Sequence, residues 1–463
     1  MLKKILLALF FIGVALVNAQ TVHRLSIKEA VDLAYKNVVE LKNVVIDYEI
    51  QEAKNKQIVG QALPQINGSA SMQYYFKLPV ILFPDAVETA IYGVLKKEGV
   101  KNGAGAPITN IPAPQFKEVS FQQPWNTSIG AQLTQLLFQP DIFVGLQARK
   151  VALVAAQKNI ELIKEKIKDS AYKRYYAILI AEKQVNFLND GVKRLEKLLH
   201  DNEVLYKNGF VEKLDIDKTQ VQLTNLKTSQ TSLQNGITLA YAALKYSIGV
   251  SQKDEIVLLD SLNIHQLRDG VLADTFKYED RQEIQALNTA KQLQQLDLKR
   301  NNLAYVPTIS AVAAYSINGQ AQSFIFSDKN PLWFKAAYAG LNINIPLFDG
   351  LSRKYAVQIS RRNIEKIDNN LYNVKQAIDL EQAVYKTTLK NALLKLSGQE
   401  RNTQLAESVY STTKKKYEQG LGSSFEVLQA ENDLQQSQSN YFNALYEAII
   451  AKIDYLHSLG KLE

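Results

Sequence analysis

Two short stretches decide the fold of this chain: YKNGFVEKLDIDKTQ at residues 206–220 and YEQGLGSSFEVLQAE at residues 417–431. In each stretch a glycine follows the leading tyrosine by three positions, Gly209 in the first and Gly420 in the second. Glycine readily adopts the left-handed backbone conformation with which many helices end. We therefore predict that a helix ends at each glycine and that another begins within a few residues.

Long helical patterns lead into both stretches. Apolar residues recur at alternating spacings of three and four, as at Val185, Leu188 and Val192. This heptad pattern predicts coiled-coil-like pairing of long helices, which at about 1.5 Å per residue reach on the order of 100 Å. The expected long helices span about 141–207 and 350–418, and the return helices about 212–247 and 424–458.

The chain also carries two copies of one plan. A shift of 211 positions superposes the two quoted stretches and places Asp215 on Glu426. A fixed-period match of this kind indicates an internal two-fold duplication. The predicted organisation is a first repeat at 20–249, a linker at 250–276 and a second repeat at 277–463.

Each repeat begins with a helical pattern. Ser26 and Glu29 have capping-box spacing, which predicts a helix that starts after Ser26 and continues to about Gly60. The corresponding helix of the second repeat is expected at about 280–302.

Four segments alternate between apolar and polar residues, which predicts strands. In the first, Ile66, Ala70 and Met72 alternate with polar residues. Each segment has close to the 9 to 11 residues, roughly, that a tilted membrane strand needs. The expected strands are about 64–75, 126–137, 307–317 and 335–345.

Aromatic residues cluster near the ends of these strands. Such residues are typical of the interface between a membrane and water. A single amphipathic strand is more typical of a soluble sheet, but four strands in register with a duplication favour a membrane sheet. The candidate interface residues are Tyr74, Tyr75, Trp125, Tyr315, Trp333 and Phe334.

Four strands cannot close a barrel, and an open sheet edge in lipid leaves backbone groups unpaired. A spanning chain must therefore oligomerise. Two copies give eight strands and three give twelve, and strand counting alone does not choose between them.

The N-terminus predicts export. Residues 1–19 combine Lys3 and Lys4, an apolar run and a small-residue ending at Ala19, as in a cleaved signal peptide. The formal net charge of +8 is a modest surplus for 463 residues and does not indicate nucleic-acid binding.

The composition gives no support to catalysis. There is no cysteine, and the four histidines are scattered without metal-ligand spacing. No phosphate-binding loop or nucleophile motif is present. We predict neither catalytic residues nor a metal or cofactor.

The chain resembles the TolC family of Gram-negative outer-membrane efflux proteins. The resemblance rests on LSIKEAVDLAYKNVVEL at 25–41, on Leu347-Phe348-Asp349-Gly350 after a strand, and on KYEQGLGSSFEVLQAENDL at 416–434. It implies a homotrimer with a twelve-stranded outer-membrane β-barrel, four strands per chain, continued by a long periplasmic α-helical barrel. It also implies a passive exit duct, closed at rest at its inner end.

The same resemblance implies partners. A periplasmic adaptor protein joins the duct to an inner-membrane pump, of the resistance-nodulation-division or ABC type, and opens the inner end. The two turns become the adaptor-docking surface, with the candidate residues Asn208, Gly209, Phe210, Val211, Gln419, Gly420, Leu421 and Gly422. The candidate residues of the periplasmic aperture are Asp215, Glu426, Gln429, Tyr206 and Tyr417.

A simpler interpretation is that these are ordinary helix hairpins, in which acidic residues near a helix start complement its dipole by about 0.3 to 1 kcal/mol each. The chain also departs from the family. Val39 stands where a proline is common, Gly422 where a basic residue is common, and Gln429 where relatives often have a second acid. The segment 76–124 is long and has no assigned role.

Two alternatives remain open from the residues. The first is a duct of the same fold for protein secretion rather than small-molecule efflux. The second is a structural periplasmic coiled-coil protein whose strands form a soluble sheet.

Overall fold

A computed structural model describes residues 22–262 and 276–462, so the predicted export signal and residues 263–275 of the predicted linker lie outside the described residues. The helices are α1 Ile27–Asn37, α2 Val39–Ala62, α3 Ala86–Lys97, α4 Pro140–Lys207, α5 Lys213–Ile248, α6 Gln282–Leu303, α7 Ser352–Glu418 and α8 Ser424–Ser458. The strands are β1 Val22–Leu25, β2 Gln65–Tyr74, β3 Ile81–Asp85, β4 Gln115–Val119, β5 Trp125–Phe138, β6 Glu255–Leu258, β7 Thr308–Ala321 and β8 Leu332–Asn344.

The first helix starts as its sequence predicts. The Glu29 carboxylate accepts the Ser26 backbone N–H at 2.7 Å, and the Ser26 hydroxyl accepts the Glu29 N–H at 3.4 Å. These reciprocal bonds satisfy two backbone donors that a helix start otherwise leaves unpaired, which confirms the predicted capping box.

The prediction of one helix as far as Gly60 is wrong, because Val38 has an extended backbone (φ −63°, ψ 122°) that separates α1 from α2. At this break Gly249 lies against Asn37, where a Cβ on Gly249 would stand 2.8 Å from the Asn37 carbonyl carbon. Gly249 also has a left-handed φ of +70°. The break thus coincides with a tertiary contact and needs no proline.

Residues predicted to form a plain linker contain a strand. β6 pairs in parallel with β1, from Val22 opposite Glu255 to Leu25 opposite Leu258. The predicted linker thus contains secondary structure at Glu255–Leu258. The pairing joins segments more than 230 positions apart, which a local sequence pattern cannot reveal.

The chain divides into two compact units. Among the described residues, the helical unit comprises 22–54, 148–262, 276–297 and 358–462, and the sheet unit comprises 55–147 and 298–357. Apolar side chains from several helices form the core of the helical unit, and Tyr175, Leu195, Leu244 and Leu396 are fully buried there. Within the described part of the chain, no helix combines the length and the apolar character needed to cross a membrane.

The sheet unit contains a four-stranded antiparallel sheet in the order β2-β5-β7-β8. Its register brings residues of like character together, because alternate side chains of a strand point to opposite faces. One row of the apolar face joins Ile66, Leu133, Ala313 and Ala339. On the opposite, polar face the Ser128 hydroxyl donates to Asn318 Oδ1 at 2.8 Å.

The outer strands β2 and β8 are each paired on one side only among the described residues. Every residue of both strands is exposed. Each outer edge therefore presents a row of backbone donors and acceptors available to another strand.

The long segment between β2 and β5 has structure of its own. β3 and β4 form an antiparallel pair, with Ile81 opposite Val119, and α3 lies between them in the chain. One side of α3 exposes Val87, Ile91 and Val94. The segment is thus a small β-α-β insertion rather than an irregular loop.

Two glycines of the sheet allow a matched test of its packing. A Cβ on Gly130 would stand 2.7 Å from the Tyr315 carbonyl oxygen, whereas a Cβ on Gly340 meets nothing within 4 Å. We expect Gly130→Ala to destabilise the sheet by about 1–3 kcal/mol through overpacking, and Gly340→Ala to be tolerated. The measurement is the yield of heat-modifiable oligomer in outer-membrane fractions. Equal yields from the two variants would contradict the β5–β7 register.

Candidate functional site at the two helix turns

The two turns share one backbone geometry. In the first, Gly209 has a φ of +79°, its N–H donates to the Tyr206 carbonyl, and the Phe210 N–H donates to the Leu205 carbonyl. Gly420 has a φ of +74°, and the second turn repeats the bonds from Gly420 to Tyr417 and from Leu421 to Lys416. This pair of bonds is the Schellman motif, so the prediction that a left-handed glycine ends each long helix is confirmed.

The helices that follow start differently. At the start of α5, the Asp215 carboxylate accepts the Glu212 backbone N–H at 3.3 Å. At the start of α8, the Ser423 hydroxyl accepts the Glu426 N–H at 3.2 Å, and Glu426 is exposed. Asp215 is thus a capping residue, whereas the Glu426 side chain is not needed for its helix cap.

The candidate docking residues lie at the ends of the two hairpins. Phe210 is 77% exposed and Leu421 is 76% exposed, although both are large and apolar. Asn208 bonds within its own helix, where its Nδ2 donates to the Val204 carbonyl at 2.8 Å. Gly209, Gln419 and Gly420 are exposed, and Val211 and Gly422 are half-buried. Each turn therefore presents one strongly exposed apolar side chain, and Leu214 and Phe425 add further exposed apolar surface at the start of the following helices.

The two tyrosines of the turns have different surroundings. Tyr206 is 45% exposed. The Tyr417 hydroxyl instead donates to Oδ1 of the fully buried Asn202 at 2.9 Å. Asn202 Nδ2 donates to the Thr219 hydroxyl at 3.1 Å, and that hydroxyl donates to the Asp215 carbonyl at 2.8 Å. This chain of bonds, the tyrosine tie, connects α7 to α4 and α5.

Burial raises the pKa of Tyr417, and the nearby carboxylates of Asp201 and Asp215 raise it further. Both causes disfavour the phenolate. Tyr417 therefore remains a neutral hydrogen-bond donor at physiological pH, as the tyrosine tie requires.

A buried ion pair makes a second connection close by. Arg194 of α4 donates from Nε and Nη2 to the two carboxylate oxygens of Glu431 of α8, both at 2.8 Å. Glu431 is only 1% exposed. The Arg194 guanidinium also lies 5.5 Å from the Tyr410 ring centre. Removing one partner of such a pair would leave the other charge poorly solvated, so the pair holds the two helices together.

Burial, together with the Glu431 carboxylate, raises the pKa of Tyr410 to about 12. Sequence reasoning missed Arg194 and Glu431. One signal was present, because Glu431 occupies a position in α8 that continues the buried spacing of Val427, Leu428 and Leu434.

The remaining aperture candidates lie on the surface. Gln429 is exposed, and its Nε2 donates to Asp433 Oδ1 at 3.0 Å. A Cβ on Gly422 would stand 3.2 Å from Glu426 Oε2. A carboxylate thus occupies the space beside the position where the family resemblance leads one to expect a basic side chain.

The sheet unit holds the six aromatic candidates. The register places Tyr74, Trp125, Tyr315 and Trp333 on the apolar face and Phe334 on the polar face. The Tyr75 hydroxyl donates to Gln73 on the polar face, at 3.3 Å.

The Tyr74 and Trp125 rings lie 4.9 Å apart, where β2 ends and β5 begins. Tyr315 does not lie at a strand end as predicted, because β7 continues to Ala321 and places Tyr315 in its middle.

In the described chain, no group of three or more metal-ligating side chains is placed to hold a metal ion. The polar groups at the turns are instead engaged in helix caps, the tyrosine tie and the ion pair. The tyrosine tie and the ion pair thus form a joint between helices.

The tyrosine tie can be tested with a matched pair of variants. Tyr417→Phe removes the donor to the buried Asn202 Oδ1, whereas Tyr206→Phe changes an exposed residue. We expect the first change to cost about 1–3 kcal/mol, because a buried acceptor is left unpaired. Hydrogen exchange of backbone amides near the turns should accelerate roughly tenfold or more in Tyr417→Phe and remain unchanged in Tyr206→Phe. Equal exchange in both variants would exclude a stabilising role for the tie.

Comparisons with known proteins agree with this architecture. Residues 279–461 match the family model "Outer membrane efflux protein". The outer membrane protein TolC of Vibrio cholerae is 19% identical over 344 residues, which cover 72% of this chain and 77% of TolC.

Two solved structures share the fold. The outer membrane protein VceC of Vibrio cholerae has a TM-score of 0.68 at 14% identity, covering 94% of this chain and 96% of VceC. The CmeC outer membrane channel of Campylobacter jejuni has a TM-score of 0.69 at 16% identity, covering 94% of this chain and 85% of CmeC. Residues 279–461 thus match the outer membrane efflux protein family, and the chain is similar to TolC and shares the fold of outer-membrane channels.

Proposed function

We propose that three copies of this chain form the outer-membrane exit duct of a tripartite efflux system. Substrates pass from an inner-membrane pump, through a periplasmic adaptor, into the duct and out of the cell. The sheet unit of each copy contributes four strands to a twelve-stranded barrel, and the helical units form the periplasmic part. The chain acts as a passive conduit.

The observation that carries this proposal is the four-stranded sheet with one apolar face, one polar face and two open edges. In lipid, an unpaired backbone group costs roughly 2–7 kcal/mol, so both edges require partners. Pairing β8 of one copy with β2 of the next satisfies both edges in a closed ring. The apolar face then meets lipid, and the polar face lines the channel.

The aromatic residues fit this orientation. Tyr74, Trp125 and Trp333 share the apolar face and lie near the end of the sheet that joins the insertion. Aromatic side chains at that level match the girdle of membrane barrels. This end of the sheet is accordingly assigned to the outer surface.

We assign the constricted aperture to the two hairpin ends. Asp215 and Glu426 provide two carboxylates per copy, or six in a trimer, and Gln429 adds a neutral layer. A ring of carboxylates attracts cations and resists closure through repulsion between like charges. The tyrosine tie and the Arg194–Glu431 ion pair hold the hairpins together in the closed state.

The adaptor docks on the same hairpin ends. Exposed Phe210 and Leu421 supply small apolar anchors. Such a surface suits a partner that binds through a few central apolar contacts. The family's description names efflux, and we propose small-molecule export rather than protein secretion.

The aperture assignment predicts the ion selectivity of the channel. Replacing both Asp215 and Glu426 by their amides should lower the cation-to-anion permeability ratio by roughly twofold or more. Asp215→Asn keeps an oxygen that accepts the Glu212 N–H, so the helix cap survives. Planar-bilayer recordings provide the measurement, with Asp217→Asn as the control on an exposed carboxylate of the same helix. Unchanged selectivity in the double variant would remove both residues from the constriction.

The docking assignment predicts a loss of efflux without a loss of assembly. Phe210→Ser combined with Leu421→Ser removes both apolar anchors, and cells that depend on this chain should then retain a fluorescent dye that wild-type cells expel. The control pair Phe210→Leu and Leu421→Met keeps the anchors apolar and should preserve efflux. Heat-modifiable oligomer in the outer membrane must remain in both pairs. Normal efflux from the serine pair would refute docking at the turns.

A further inference from the structure

A cleft in the helical unit has an unusual lining. It lies between α4, α5 and α8 and has a volume of about 380 Å³. Its lining, all from described residues, contains no charged side chain. Six amides contribute to it: Gln184, Gln222, Asn432, Gln435, Gln436 and Gln438.

One of these amides has an unmet hydrogen-bonding requirement. The Oδ1 atom of Asn432 is buried, and no donor among the described residues is within bonding distance of it. Buried polar atoms nearly always have a partner, from the protein, water or a ligand. Because this oxygen has almost no accessible surface, a hydroxyl or amide N–H of a bound molecule could supply the missing donor only after the Asn432 side chain turns.

The cleft also has an apolar wall. Phe187 is 40% exposed and packs against Phe442 in an edge arrangement, with 5.0 Å between ring centres. Leu188 and Leu233 add aliphatic surface. Apolar walls with a few converging polar groups are typical of small-molecule sites, and the volume falls within their range of roughly 300–1,000 Å³.

Two other cavities of the helical unit are lined differently. The one beside Tyr417 has a volume of about 150 Å³ and includes Lys193, Arg194 and Lys414. The one beside Gly249 has a volume of about 550 Å³ and includes Lys166 and Arg174. The neutral lining of the amide cleft is thus not shared by these two cavities.

The amide cleft shares helix faces with the aperture candidates. Gln222 and Ser229 follow Asp215 by seven and fourteen positions, and Gln436 follows Gln429 by seven. Residues seven apart lie on nearly the same face of a helix, about 10 Å from one another along its axis. If the aperture residues face the conduit, the cleft therefore faces the conduit as well, about 10 Å or more along the helices from the aperture.

We propose that the amide cleft binds neutral amphiphilic molecules that combine an aromatic or other apolar ring with hydroxyl or amide groups. The ring packs against Phe187, and the polar groups exchange hydrogen bonds with the amides of the lining. The role of this site as a contact for exported substrates rests on the proposed function, whereas its occupancy by such a molecule does not.

The test uses the full chain in lipid nanodiscs and phenyl β-D-glucopyranoside as the probe, which has one aromatic ring and four hydroxyls. Saturation-transfer NMR should show saturable binding of this probe. Ser229→Phe places a ring in the cleft and should weaken binding at least tenfold. Thr231→Phe is the matched control, because both hydroxyls bond to the carbonyl four residues back and Thr231 does not line the cleft. Its binding should equal that of the wild type.

Charge is the second readout. Benzoate and phenyltrimethylammonium have the same ring but carry a charge, and each should bind at least tenfold more weakly than the glucoside. Equal binding of all three molecules, or equal glucoside binding by Ser229→Phe and the wild type, overturns the proposal. If Ser229→Phe does not fold, Ser439→Leu fills the cleft from α8 and provides the same comparison.

Measuring channel conductance separates the amide-cleft proposal from the exit-duct proposal. A protein that conducts in planar bilayers but does not bind the glucoside refutes the amide cleft and leaves the exit-duct function intact. A protein that binds the glucoside in the cleft but forms no channel refutes the duct and leaves the binding site intact.

Discussion

The backbone groups along the outer edges of β2 and β8 set the strongest constraint on this molecule. A four-stranded sheet with an apolar face cannot enter lipid while two rows of donors and acceptors remain unpaired. Side-chain changes cannot remove this requirement, because the unpaired groups belong to the main chain. Assembly with further copies is therefore a condition of membrane insertion rather than a later refinement, and the proposed trimer is one assembly that meets it.

The helical unit faces a different problem, which is to keep long helices in register with one another. Apolar seams alone tolerate sliding between helices, since one leucine substitutes for the next along the seam. The Arg194–Glu431 pair and the bond from Tyr417 to Asn202 do not slide, because each needs one particular partner at 2.8–2.9 Å. We infer that these polar contacts fix the relative position of the hairpins, as buried polar groups do in some coiled coils.

The sequence predicts those features that depend on neighbours in the chain. The capping box at Ser26 and Glu29 and the helix ends at Gly209 and Gly420 involve residues within five positions, and all were predicted correctly. The break at Val38 was missed, where Gly249 lies against Asn37 from 212 positions away. The β1–β6 pairing and the Arg194–Glu431 pair span more than 230 positions and were missed for the same reason.

In the sheet, too, a feature that depends on a contact with another strand was not predicted from the sequence. Alternation located the four strands, but the end of β7 depends on its partner. Gly319 has Trp333 opposite it, and a Cβ on this glycine would stand 2.7 Å from the indole ring. From the local sequence, a glycine at this position predicts that the strand ends. In the structure the Trp333 indole packs over Gly319, and the strand continues to Ala321.

The two turns have the same hydrogen-bonded backbone but different side chains. Phe210 stands in one where Leu421 stands in the other, and Asp215 caps its helix while Glu426 does not. Three copies would present six ends of matching shape in two alternating chemistries. A ring of six identical partner subunits could therefore fit every end by shape, yet half of its contacts would differ in energy from the other half. In such a complex the positions of the six contacts would have sixfold symmetry, whereas their binding energies would have only threefold symmetry. The three weaker contacts would be the first to release.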